Sequence, residues 1–128
     1  MRALASLALL PLMALPSPAR AQAPLDYRQA YERAQADEAS LQGQDNRRLL
    51  ESQGRLVGAA AAACASPSAD PAPFVVVAEL DAAGRVVRTW REGATPLAIC
   101  FEKQLAQATL FTPPRTPFHT FIEMSFTP

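Results

Sequence analysis

The run Phe74-Val75-Val76-Val77-Ala78-Glu79-Leu80 constrains this chain more than any other stretch. Phe74 to Ala78 is apolar without alternation, so a strand built from it buries both faces and belongs in the middle of a sheet. The turn Asp81-Ala82-Ala83-Gly84 follows, with Gly84 suited to a positive φ, and it predicts a hairpin. The second strand, Arg85 to Trp90, carries Arg85 and Arg88, with Arg91 just beyond, and reads as an edge. Thr95 then caps a helix with Pro96 at its first position. Leu97, Phe101, Leu105 and Ala108 form its apolar stripe with Cys100 beside it, and Phe111-Thr112-Pro113-Pro114 ends it. In the last strand Phe118, Thr120, Ile122, Met124 and Phe126 alternate with His119, Phe121, Glu123 and Ser125.

The connections set the topology. A hairpin makes the first two strands antiparallel, and a helical crossover returns the third parallel to the second. The expected order is 2-1-3, with the third strand at an edge. The fold class is therefore α+β: an N-terminal helical segment and a ββαβ domain whose three-stranded antiparallel or mixed sheet packs on a helix.

The first residues read as an export signal. Arg2 precedes the apolar stretch Ala3 to Leu15, which is short of the roughly 20 residues that span a bilayer. Ala19-Arg20-Ala21 is an Ala-x-Ala cleavage site, with Ala21-Gln22-Ala23 as a second, and an uncleaved anchor is the competing reading. The expected organisation is a signal peptide over 1–21, a helical extension over 22–65, a Pro-rich linker over 66–73 and the ββαβ domain over 74–128. The chain has 12 basic and 12 acidic residues, which argues against a nucleic-acid partner. Loss of Arg2 and Arg20 leaves a net charge of about −2. A periplasmic location follows, and no membrane span remains after cleavage.

Leu25 to Ala65 is rich in helix formers, with opposite charges four apart at Arg28/Glu32, Arg33/Asp37, Arg47/Glu51 and Glu51/Arg55. Gly43 and Asp45-Asn46 divide it into helices from Asp26 to Leu41 and Asp45 to Ala63; one long helix weakened at Gly43 is the alternative. The prolines at 67, 71 and 73 enforce an extended linker. Cys64 and Cys100 form an even pair in an exported chain, which predicts a disulfide.

Catalytic chemistry finds little footing. His119 is the single histidine, with Glu123 on the same face of its strand. Glu79, Glu102 and Glu123 are scattered over three elements, and no residue set has the usual ligand count for a metal. The sequence implies no cofactor. Arg85, Arg88 and Arg91 are either a basic stripe or a solvated edge guarded against aggregation. Trp90 and Phe121 are either binding anchors or packed against the helical extension.

The pattern resembles the C-terminal domain of TonB-type energy transducers and the related cysteine-bearing AgmX-type domains. The resemblance rests on the apolar strand ending in Asp81, Gly84, Arg85 and Val86, and on the short helix with Leu97 and Cys100. Ala108, Phe111 and Pro113-Pro114 after that helix, the alternating strand Phe118 to Phe126, and Cys64 ahead of the first strand complete it. About 55 of the 128 residues are covered. The Tyr-Pro lead-in, long Pro-rich spacer and retained membrane helix of an energy transducer are missing, so the resemblance implies the binding domain without the coupling machinery. It implies a non-enzymatic module that captures an extended segment of an envelope protein or peptide by strand addition. The third-strand edge is the expected binding surface, with Phe118, Thr120, Phe121, Ile122 and Glu123 as its residues. A small envelope hydrolase using His119 is the first alternative. A structural protein or homodimer whose helical extension covers that edge is the second.

Overall fold

The computed structural model describes residues 8, 10–14 and 23–127. The expected cleavage sites lie outside these residues, apart from Ala23 at the end of the second. Of the apolar leader, 8 and 10–14 are described, exposed and without regular structure. No helix among the described residues is long and apolar enough to cross a membrane.

The helical stretch folds as two helices, α1 (Tyr27–Ala39) and α2 (Gly43–Ala63). Asp26 starts α1 through a capping box: its carboxylate accepts from the Gln29 N–H at 2.8 Å, and Gln29 Oε1 accepts from the Asp26 N–H at 3.0 Å. The break between the helices precedes Gly43, which has φ 52°, so α2 begins two residues ahead of the expected Asp45.

A three-stranded antiparallel sheet follows: β1 (Phe74–Leu80), β2 (Val86–Glu92) and β3 (Phe118–Met124), in the order β2-β1-β3. The central place of β1 follows from its composition. Val76, Ala78 and Leu80 pack on one face and Val77 on the other, each at most 1 % exposed. The Asp81 carboxylate accepts from the Ala83 and Arg85 N–H groups, both at 2.9 Å, and fixes the hairpin. Gly84 is required there, because it has φ 82° and an added Cβ would collide with the Phe111 carbonyl.

Between β2 and β3 lies α3 (Pro96–Ala106), whose Thr95 cap accepts from the Ala98 N–H at 3.1 Å. Its buried residues are Ala98, Phe101 and Leu105. The expected stripe residue Ala108 lies beyond the helix; its carbonyl instead accepts from the Val86 N–H at 3.1 Å, stitching this loop to the start of β2.

The sheet is covered on both faces. The α1 face holds Ala30, Ala34 and Val77, flanked by Tyr27, Tyr31, Trp90 and Phe121. The opposite face holds Phe74, Val76, Leu80, Phe101, Leu105 and Phe118, together with Leu49 and Ala60 of α2. The helical extension and the ββαβ unit therefore share a core. Cys64, at the end of α2, is bonded to Cys100 in α3 with a Cα–Cα distance of 5.8 Å, inside the range a disulfide needs.

Candidate interaction edges

The sheet has two outer strands, and the protein treats them in opposite ways. In β3 the main chains of His119 and Phe121 point outward. The His119 N–H donates to Asp37 Oδ2 at 2.8 Å, and the Phe121 N–H donates to Glu38 Oε2 at 2.8 Å. The Phe121 carbonyl accepts from Gln53 Nε2 at 3.1 Å. Thr120 Oγ1 links the two caps, donating to Glu38 at 2.7 Å and accepting from Gln53 at 2.8 Å. Arg115 holds Asp37 from its other oxygen at 3.0 Å and bonds Ser40 Oγ at 2.8 Å. The carboxylates of α1 thus stand where the carbonyls of a neighbouring strand would be. Burial pushes the Glu38 carboxyl above its ordinary range, against the bonds from Phe121 and Thr120 and the nearby Gln53 amide, which favour its charged form.

The free third-strand edge expected from the sequence is closed over His119 to Phe121. Phe118, Thr120 and Ile122 turn their main-chain groups toward β1 and their side chains into the core, at 0 %, 1 % and 8 % exposure. Phe121 is half-buried, edge-on to Tyr31 with ring centroids 5.1 Å apart. Glu123 lies beyond the caps and is exposed. Edge strands are commonly blunted by charge, but the charge here comes from Asp37 and Glu38, 82 and 83 residues earlier in the chain. The sequence signal was indistinct, because charges at helical spacing read as a solvated face. Arg28 and Glu32 do pair on the surface, at 3.2 Å, whereas Asp37 pairs with Arg115 rather than the expected Arg33.

The β2 edge is different. Antiparallel pairing alternates inward and outward residues. Since His119 and Phe121 point away from β1, the β1 residues Val75, Val77 and Glu79 bond to β2. Their partners Glu92, Trp90 and Arg88 point inward, which leaves the N–H and carbonyl groups of Thr89 and Arg91 pointing out. Among the described residues no group of the chain caps Thr89, and the Arg91 side chain bonds the Gly93 carbonyl and Glu102, at 3.2 Å, rather than this edge. Only the start of β2 is covered, by the Arg85–Thr109 bridge. Val87 is 56 % exposed, and Arg85 and Arg88 are exposed.

Trp90 is half-buried, with its indole N–H donating to the Leu25 carbonyl at 2.8 Å and Arg88 stacked 5.9 Å from its ring centroid. Its role is to hold the start of the helical extension on the sheet. At the end of the same strand, burial pushes the Tyr27 phenol above its ordinary value of 10.0, with the nearby Glu92 carboxylate acting in the same direction.

His119 is 1 % exposed, on the α1 face. Its Nε2 is 3.4 Å from Glu79 Oε1 and its Nδ1 is 3.7 Å from Asp37 Oδ2, yet neither nitrogen makes a hydrogen bond of good geometry. The expected partner Glu123 is replaced by these two carboxylates. Burial pulls the imidazole below its ordinary 6.5, opposed by Glu79 and Asp37 and assisted by Arg33. A cavity of about 180 Å³ beside it is lined by Leu25, Arg33, Glu79, Arg88 and Pro117. No group of three or more His, Cys, Asp or Glu suited to a metal ion occurs among the described residues.

Comparison with known proteins gave no match to a family model, a curated protein or a solved structure.

Proposed function

We propose that this chain is a non-enzymatic periplasmic interaction module, resembling a TonB C-terminal domain, that binds an extended segment of an envelope protein by strand addition. The observation that carries the reading is the contrast between the edges: β3 is capped over His119 to Phe121, whereas Thr89 and Arg91 of β2 keep outward groups without partners. A strand left open on a covered sheet is a template for another strand. The ββαβ order with β1 at the centre is the architecture the resemblance implies. The Cys64–Cys100 bridge and the apolar leader ahead of Ala19-Arg20-Ala21 support export. The enclosure of His119 between Asp37, Glu79 and Trp90 supports a packing role for the imidazole over a catalytic one.

Thr89→Pro tests this. The N–H of Thr89 points outward, so proline removes a docking donor without breaking a ladder bond. The expected result is loss of partner capture from envelope extract with circular dichroism unchanged. Undiminished capture by the folded variant would show that binding lies elsewhere.

A further inference from the structure

The partner's chemistry is written on the same edge, on the reading that β2 accepts a strand. Three arginines, Arg85, Arg88 and Arg91, lie along it. Arg91 is neutralised by Glu102 at 3.2 Å. Among the described residues, no carboxylate comes within ion-pair distance of Arg85 or Arg88; Arg88 instead lies over Trp90, 5.9 Å from its centroid. Glu92, at the far end of the strand, is exposed and lies near Tyr27. An incoming main chain at Thr89 therefore meets two cations held in no ion pair toward the hairpin end, with Glu79 behind Arg88 in the β1–β2 ladder and the exposed Glu92 beyond Arg91.

We infer that the β2 edge selects an acidic extended protein segment, with carboxylates at alternate positions so that they share one face of the new strand. Alternate spacing follows from the strand period, which sends every second side chain to the same side. Arg85 and Arg88, three residues apart, share that side because the ladder shifts register between Glu79 and Leu80, setting Arg88 opposite Glu79 and Arg85 opposite Asp81. Opposite charges across a ladder stabilise pairing and like charges oppose it. That rule also disfavours a second copy of this chain as the occupant. An antiparallel two-fold pair centred on Thr89 would place the two Arg88 side chains diagonally, about 7 Å apart on one face. It would also set Arg91 of each copy opposite Val87 of the other. Electrostatics at an exposed edge governs selection and encounter more than raw affinity, so the signature is discrimination between peptides of equal strand propensity.

The experiment titrates the purified protein with three capped peptides, (Thr-Glu)4, (Thr-Gln)4 and (Thr-Lys)4, following the Thr89 and Arg91 amide resonances. Expected are saturable shifts with (Thr-Glu)4, binding roughly tenfold tighter than (Thr-Gln)4, none with (Thr-Lys)4, and weakening by salt. Arg88→Glu should invert the order, with His119 and Phe121 amides unmoved in every case. Equal binding of the Glu and Gln peptides would overturn the charge selection while leaving strand addition intact. Shifts with none of the three would overturn both. A concentration-dependent dimer that Thr89→Pro dissolves would assign the edge to a second copy and likewise overturn the inference.

Discussion

His119 shows how a single side chain is defined by elements far from it in sequence. Glu79 of β1 and Asp37 of α1 flank its ring, Trp90 of β2 lies 5.7 Å from it, and Arg33 and Arg88 border the adjoining cavity. Desolvation outweighs the two carboxylates and lowers its pKa from 6.5. The folded protein therefore resists a proton that the unfolded chain accepts, so this residue's contribution to stability is complete above pH 6.5 and is lost as the pH falls below it. Glu38 acts in the opposite sense: its raised pKa makes stability fall as the pH rises from 4.5. Urea unfolding of wild type and His119→Phe across pH 4 to 8 separates the two, since Glu38 is common to both. The wild type should lose stability relative to the variant below pH 6.5, at no more than about 1.4 kcal/mol per pH unit. Parallel curves would show that His119 binds its proton alike in both states. The sequence placed this histidine on a strand and gave it a carboxylate, but chose Glu123 because same-strand spacing is visible and cross-element contact is not.

The elements themselves were largely legible. β1 announced its central place by burying both faces, and Asp81 with Gly84 announced the turn. Thr95-Pro96 marked the start of α3. The disulfide followed from arithmetic on two cysteines. What the sequence left open, between a free third-strand edge and one covered by the helical extension, was the edge state of β3, because a strand's own residues do not reveal what a distant helix lays against it; α1 covers it over His119 to Phe121. The absence of Lys, Arg and internal Pro in Phe118 to Met124 reflects a strand already protected by Asp37, Glu38 and Gln53. The Cys64–Cys100 bridge has its own consequence at this scale. It joins the end of α2 to α3 across 36 residues, a span that includes the Pro-rich linker, β1 and β2. By chain entropy this crosslink contributes about 4 kcal/mol, an upper figure for a small fold. Cys64→Ala/Cys100→Ala, or wild type under reductant, should shift the denaturant midpoint down by that amount or less. An unchanged midpoint would mean that packing of Leu49 and Ala60 alone fastens α2.

At the scale of the whole molecule, α1 does two jobs with one placement. Ala30 and Ala34, both at 0 % exposure, rest on Val77, and the lack of bulk at these positions sets how closely the helix approaches the sheet. The approach carries the last turn of α1 along β3, where Asp37 and Glu38 meet the His119 and Phe121 N–H groups at 2.8 Å. Covering a face and closing an edge are therefore one event, and a change at the face should be felt at the edge. Ala34→Leu inserts three heavy atoms where none fits, at an expected cost of about 1–3 kcal/mol. The displaced helix should then lose its grip on β3. Hydrogen exchange followed by NMR should show His119 and Phe121 amides exchanging faster in the variant, beyond the change caused by global destabilisation. The inward amides of Thr120 and Ile122, bonded to β1, should track global unfolding alone. Peptide binding at Thr89 and Arg91 should persist, since that edge lies across the sheet. If His119 and Phe121 exchange no faster than Thr120 and Ile122 after correction for stability, the caps hold independently of the Ala30–Ala34 contact, and α1 closes the edge by its carboxylates alone.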